Sequence, residues 1–221
     1  MNFDFAVILA KGPQILSGLG VTILIWIAGT LIAAALGFLI ATARRFGGPL
    51  VNLILSMPIE ILRGTPFLVQ IFLLYFGGPY IGLRLDPITA GLLGLSVYGA
   101  AYYAEIFRAG YQSVPVGHVE AAQCVGFSRP QIIRHVLLPE MALLVMPPSI
   151  NMAIILLKET ALLSLITVPE LTMTVSAIGS QQYAFVESIV ILALVYWVLV
   201  EIANFLGRLT ERKLSNFGIA P

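Results

Sequence analysis

Charge is what this sequence has least of: of 221 residues only 10% are Asp, Glu, Lys or Arg, while 59% are hydrophobic. A soluble domain carries about 25% charged residues, so this chain lacks the polar surface to cover a globule of its size. The single cysteine, Cys124, excludes an intrachain disulfide framework. The two histidines, His118 and His135, have no acidic or cysteine neighbour at metal-ligand spacing. None of the three lysines (Lys11, Lys158, Lys213) follows a glycine, so the phosphate-cradling G-x-x-x-x-G-K-[ST] loop is missing and nothing visible hydrolyses a nucleotide. A net charge of +1 with no basic patch argues against nucleic-acid binding, and high hydrophobicity argues against disorder. What remains is an integral membrane protein.

Long apolar runs are what the sequence has in abundance. They fall at about 19–43, 50–75, 88–107, 141–166 and 184–206, each near the ~20 residues that cross a hydrocarbon core. The second is interrupted by Pro58, Glu60, Arg63 and Pro66. Residues 1–12 carry Asp4 and no basic n-region, so no cleavable signal is expected there. Orientation follows from the basic residues. With the N-terminus outside, Arg44, Arg45, Arg108, Arg129, Arg134, Arg208, Arg212 and Lys213 face the cytoplasm, and only Lys11 and Arg84 lie outside. Arg63 and Lys158 fall within spans. The sequence thus predicts an all-α polytopic membrane protein of about five transmembrane helices, N-terminus outside and C-terminus cytoplasmic, as one domain over 1–221.

The sizeable loop, 110–140, faces the cytoplasm in this topology. It predicts a short helix, a stop at Gly126, and a second short helix with Ser128 as N-cap and Pro130 in the first turn, before Pro139 opens the fourth span. Cys124 sits here as a small hydrophobe, and His135 reads as a surface residue. Glu120, Ala121, Ala122, Gly126, Val136, Leu138 and Pro139 stand at the spacing E-A-A-x3-G-x9-I-x-L-P, with Val136 replacing the isoleucine. This closely resembles the EAA loop of membrane subunits of bacterial ATP-binding-cassette (ABC) importers, where the loop is a coupling helix seated on the ATPase subunit. Glu120 offers a charge to a partner cation, and the alanines permit close approach.

The resemblance covers about 15–213. Glu60, Arg63, Gly64, Thr65, Pro66, Leu68, Val69 and Gln70 resemble the E-x-x-R-G-T-P-x-L-V-Q stretch of polar amino acid permeases. Residues 101–110 resemble A-Y-x-x-E-I-x-R-G-G with Ala109 for a glycine, and 156–162 resemble L-L-K-D-T-S-L with Glu159 and Ala161 as departures. The run 167–172 is similar to G-V-P-E-L-T. The histidine/glutamine/arginine permease type is the family implied, with a type I importer fold in the bacterial plasma (inner) membrane.

Ionisable residues at bilayer depth face a protein interior or cavity. Arg63, followed by Gly64, Thr65 and Pro66, puts a guanidinium beside backbone freed by a proline; it suits an amino acid carboxylate held bidentately. In span four Asn151, Ile155, Lys158, Glu159 and Leu162 share one helical face, where Glu159 can meet a substrate ammonium and Asn151 both donates and accepts. The family resemblance implies Arg63, Gly64, Thr65, Asn151 and Glu159 as substrate-binding. Met152, near that face, argues weakly for a neutral or bulky substrate. The competing reading is an ion-pair network, Arg63–Glu159 or Arg63–Glu60, with Lys158 snorkelling outward and Glu105–Arg108 pairing structurally.

The resemblance implies an importer subunit that moves an amino acid or amino-acid-like solute inward by alternating access. Its partners would be a cytoplasmic ABC ATPase dimer, a second permease subunit (the same chain or a paralogue), an extracytoplasmic solute-binding protein and the lipid bilayer. No cofactor belongs to this chain; ATP and Mg bind the partner. The region 169–183 would serve as an outer gate or docking surface. The alternative is an ATP-independent secondary transporter or channel for a small zwitterion. An intramembrane enzyme is disfavoured, since Ser149 and Ser164 have no intramembrane histidine.

Overall fold

The computed structural model describes residues 11–215, with side chains through Arg212. Expectations on residues 1–10, including the reading of the N-terminal stretch, and on the Lys213 side chain lie outside these described residues. Among them there is no strand.

Helix α1 (Gly12–Phe46) runs along the centre of the molecule. Its buried face is a column of mostly small residues, Gly18, Thr22, Ile25, Gly29, Ala33, Gly37 and Ala41, three or four apart. Small residues let helix backbones approach closely in a membrane, where apolar contact with a neighbour gains little over lipid. Helix α4 (Pro87–Ser113) fills this column with Gly91, Gly99, Ala100, Ala101 and Ala104 on its own buried face. A Cβ on Gly37 would meet the Tyr103 side chain and lie 2.8 Å from the Ala104 nitrogen, so glycine is required there. Asp86 caps α4 by accepting from the Thr89 hydroxyl and backbone N–H at 2.7 and 3.0 Å. These bonds hold its carboxyl below the usual carboxylate range.

The second expected span is not one helix. Helix α2 (Gly48–Gly64) ends at Thr65, and the chain resumes as α3 (Phe67–Phe72), continued by a π turn and a 3₁₀ turn to Ile81. The two halves meet at 105°. The cause is local. Pro66 disfavours helical backbone in the residue before it, and Thr65 is extended at φ −118°, ψ 144°.

The 110–140 segment differs from expectation as well. Helix α5 (Val116–Cys124) and Gly126 stand as anticipated, but the second helix, α6 (Arg129–Ile132), does not stop. It passes through a π turn (Ile133–Leu137) into α7 (Leu138–Glu159) and a final 3₁₀ stretch to Ile166, one helical run of 38 residues. A π turn just ahead of Pro139 accommodates the missing N–H and the ring's bulk, so the helix continues through the proline. Helix α8 (Leu171–Gln182) then packs against α1, and α9 (Phe185–Ser215) lies outside, against α7 and α8.

Three helices or helical runs are long and apolar enough to cross a membrane, namely α1, Arg129–Ile166 and α9, and the bent α2–α3 pair makes a fourth. Helix α4 has the length, about 40 Å for its 27 residues, but its glycines and tyrosines lower its hydropathy below theirs. Its surroundings explain this: it packs on α1, α2 and α7, so protein rather than lipid covers most of it. The core lies where these helices cross, with Ile25, Phe67, Ile71, Leu95, Met152, Leu156 and Leu163 buried together.

Candidate functional site

The broken α2–α3 segment places Arg63 at the last turn of α2. Its guanidinium lies over the Tyr102 ring, 5.5 Å from the centroid, and Nη1 is 3.8 Å from Glu105 Oε2. The Tyr102 hydroxyl donates to the Arg63 carbonyl at 3.5 Å. The backbone around the bend is closed by a single side chain. Gln70 Nε2 donates to the Leu62 carbonyl at 2.6 Å and to the Thr65 carbonyl and hydroxyl at 3.0 and 2.9 Å. Carbonyls released by Pro66 are thereby satisfied. Gly64 and Thr65 are exposed on the same bend.

Glu105 is the electrostatic centre of the region. Oε1 accepts from Arg44 Nη1 at 2.5 Å, and Oε2 accepts from Arg108 Nε and Nη2 at 2.9 and 2.6 Å. With Arg63 at the edge, one carboxylate serves three guanidiniums from three helices. The anticipated Glu105–Arg108 pair is present; Arg44 is more than an orientation signal, its side chain being 9% exposed. Among the described residues neither Arg63–Glu159 nor Arg63–Glu60 forms.

Arg63, Tyr102 and Glu105 line an open cavity of about 480 Å³ whose far wall is Leu144, Val145 and Pro148 of α7. Asn151, Ile155 and Glu159 continue that face of α7 at helical spacing. Asn151 is exposed and Glu159 half-buried. Neither is hydrogen-bonded to Arg63 or Thr65 among the described residues. The residues between the two halves are aromatic. The Tyr98 and Tyr102 hydroxyls are 3.4 Å apart, and Tyr98 lies within electrostatic reach of Glu159. Met152, by contrast, is 3% exposed within the core. Packed there it offers almost no surface to a substrate, and the inference from it toward a neutral substrate loses its support.

The segment around Glu120 is built as a projecting helix. Ala122 alone of α5 is buried, against Tyr111, Ile132, Leu137 and Met141, while Glu120, Ala121 and Cys124 are exposed. Gly126, at φ +84°, closes the helix, its N–H reaching the Gln123 carbonyl and that of Phe127 the Ala122 carbonyl, the Schellman pattern. Gln131 accepts from the Ser128 N–H at 2.8 Å, fixing the start of α6. His118 Nδ1 lies 2.8 Å from Glu140 and ties α5 to the root of α7. Leu138 packs on the same apolar cluster as Ala122, whereas Pro139 is exposed. His135 is exposed, its Nδ1 beside the Gln131 carbonyl.

Sequence reasoning missed one buried network. Glu170, fully buried, caps α8 by accepting from the Thr172 and Met173 N–H groups at 2.9 and 2.8 Å. The Tyr196 hydroxyl of α9 donates to it at 3.1 Å, and Thr22 of α1 donates at 3.4 Å. The chain 169–183 is therefore keyed into α1 and α9. Its only advance signal was an acidic residue directly before a helical pattern.

A bundle of long apolar helices with one broken span, an arginine at the break and a projecting helix is an arrangement suited to a translocation subunit of a transporter. Residues 29–216 match the family of binding-protein-dependent transport system inner membrane components, and the chain belongs to that family. It is accordingly an inner-membrane, non-catalytic translocation component of such a system. The chain is 34% identical over 215 residues to the probable amino-acid ABC transporter permease protein YckA of Bacillus subtilis, covering 97% of this chain and 95% of that one. It is also 34% identical over 217 residues to the glutamine transport system permease protein GlnP of Escherichia coli, covering 97% and 99%. Against the arginine transport system permease protein ArtQ of Bacillus subtilis the identity is 32% over 217 residues, with 98% and 99% covered. A crystal structure of an amino acid ABC transporter with histidines superposes with a TM-score of 0.89 at 34% identity, over 96% of this chain and 100% of that one. The MetNI methionine ABC transporter gives a TM-score of 0.75 at 20% identity over 91% and 96%, a likeness of fold.

Proposed function

We propose that this chain carries an amino acid or close derivative across the inner membrane, using Arg63, Gly64 and Thr65 for the substrate carboxylate and Asn151 and Glu159 for its ammonium. The observation that supports this is a separated charge pair: an exposed guanidinium at a helix break and a half-buried carboxylate, with Tyr102 and Tyr98 between them. A zwitterion needs such a pair, and tyrosine faces can hold its side chain. The names of YckA, GlnP and ArtQ add weight to the amino acid class.

In this reading the chain crosses the membrane five times, N-terminus outside and C-terminus in the cytoplasm, as one domain over 1–221. Two permease subunits, copies or paralogues, enclose the path. Each presents its 110–140 segment, through Glu120, Ala121, Ala122, Gly126, Leu138 and Pro139, to a cytoplasmic ABC ATPase that binds ATP and Mg. A solute-binding protein delivers substrate outside, near 169–183. Closure of the ATPase pair then moves α5, and with it α7, as a rigid body.

The test is reconstitution of the chain with its ATPase and binding protein in proteoliposomes. Amino acid uptake is expected to require ATP, and Arg63→Gln is expected to reduce it at least tenfold while basal ATP hydrolysis persists. Uptake proceeding without the ATPase would overturn this reading in favour of secondary transport.

A further inference from the structure

Two cavities lie in the crevice between α1, α2 and α4; the first shares Arg108 with the Arg63 cavity, and neither is lined by Asn151 or Glu159. The first, about 250 Å³, is lined by Arg44 and Arg45 at the end of α1, Asn52 in the first turns of α2, and Arg108, Tyr111 and Gln112 near the end of α4. The second, about 150 Å³, is almost purely apolar and includes Leu36 and Ile40, Ile59 and Leu62, and Val97 and Ala101 of the same three helices.

Helical spacing aligns them. Ile40 and Arg44 are four residues apart on α1, Asn52 and Ile59 seven apart on α2, and Ala101 and Arg108 seven apart on α4. Each pair shares a helix face, so the apolar groove begins about one turn, roughly 5 Å, from the arginines. Beside it α2 exposes Leu50, Leu53, Ile54 and Met57. A chamber lined by three arginines with an apolar groove leading from it along the helices has the shape and chemistry of one amphiphile.

The charge balance points the same way. Asn52 Oδ1 accepts from Arg44 Nε, and Gln112 Oε1 accepts from Arg108 Nη1, both at 2.9 Å, so two guanidiniums are held in place. Glu105 is the one carboxylate paired with them. Arg45 is exposed and has no hydrogen-bond or ion-pair partner among the described residues. It also lines the cavity beneath α5, formed with Val119, Gln123 and Arg129. The chamber therefore sits at the coupling-helix end of the molecule with uncompensated positive charge. Basic pockets between spanning helices at the cytoplasmic face hold phosphate headgroups.

We propose that this crevice binds an anionic phospholipid of the leaflet that faces the ATPase, its phosphate at Arg44, Arg45 and Arg108 and an acyl chain in the groove of Ile40, Ile59 and Val97. Bound there, the lipid neutralises the arginine excess around Glu105 and packs directly under α5.

The test uses the full chain in detergent micelles, titrated with phosphatidylglycerol, phosphatidylcholine of the same acyl chains, or inorganic phosphate, with bound lipid read by native mass spectrometry. Phosphatidylglycerol is expected to be retained at least tenfold better than phosphatidylcholine. Arg45→Gln, which breaks no internal bond, is expected to weaken phosphatidylglycerol about fivefold, the effect of one arginine near an anionic surface, and to leave phosphatidylcholine unchanged. Leu36→Trp, at the exposed lip of the groove, is expected to weaken the lipid and spare inorganic phosphate. Equal retention of the two lipids, inorganic phosphate bound as tightly as phosphatidylglycerol, or an Arg45→Gln variant with undiminished selectivity would each overturn the proposal. So would retention by single chains that disappears in the assembled transporter, because a second copy would then cover the crevice.

Discussion

Arg44 donates to Glu105 at 2.5 Å across 61 residues of sequence, joining the end of α1 to the last third of α4. The same carboxylate holds Arg108 and stands 3.8 Å from Arg63. Because Arg44 is nearly buried, the pair gains more from attraction than an exposed one, and losing either partner strands a charge. Glu105→Ala is expected to destabilise the chain by about 3 kcal/mol, the low end for a broken buried pair. The double change Arg44→Met with Glu105→Leu should cost less than the single, because no guanidinium is then stranded at α1. Thermal unfolding in detergent measures both; a double variant less stable than Glu105→Ala would contradict the assignment.

Gln70 makes the α2–α3 bend possible by serving acceptors at Leu62 and Thr65. Gln70→Leu keeps the side chain's approximate bulk and removes the donor. The expected loss is about 1 kcal/mol, since the Leu62 carbonyl is half-buried and the Thr65 acceptors are exposed, together with a fall in uptake as Arg63 loses its fixed position. An unchanged melting temperature would show that water replaces the amide.

These two groups differ in how far the sequence disclosed them. Irregular backbone at Pro66 was legible, since proline restricts its predecessor whatever the tertiary context, but the 105° break into two helices was not. Arg63 at that break was legible too, as a charge at bilayer depth. Gln70 was legible only as the last position of a motif, without a role, because that role depends on carbonyls freed only once the chain bends. Glu105 was legible only as far as Arg108, three residues away; partners at 44 and 63 meet it through helix packing that no local spacing encodes. Pro139 misled for the opposite reason: the local rule says stop, and a π turn from Ile133 to Leu137 lets the helix continue. Met152 misled because helical spacing gives a residue's direction and not its exposure, and packing buries this one in the core.

The α1–α4 contact tests the small-residue column directly. Gly37→Ala places a methyl against the Tyr103 side chain and the Ala104 backbone, and backbone cannot step aside as a flexible side chain can. Overpacking of this kind costs about 1–3 kcal/mol. Gly20, on the same helix, has nothing within 4 Å of an added Cβ, so Gly20→Ala should be neutral or stabilising by about 0.5–1 kcal/mol. Thermal unfolding of the pair separates packing from helix propensity; equal shifts would mean that α1 and α4 are not closely apposed.

Coupling is tested best where stability is least disturbed. Gly126 sits at φ +84°, and a Cβ there meets no atom within 4 Å. Gly126→Ala therefore carries only the backbone penalty for a left-handed residue, about 1–2 kcal/mol. That strain falls on the turn that sets the angle of α5. Glu120 is exposed, so Glu120→Arg should leave the melting temperature unchanged while reversing the charge offered to a partner. In proteoliposomes with the ATPase, both variants are expected to keep basal ATP hydrolysis, to lose most of its stimulation by substrate, and to transport at least fivefold more slowly. The two act differently on the fold, one by strain and one by charge, so a shared transport defect with different melting temperatures isolates the contact between α5 and the ATPase. Normal uptake and normal stimulation in both would remove α5 from the coupling path.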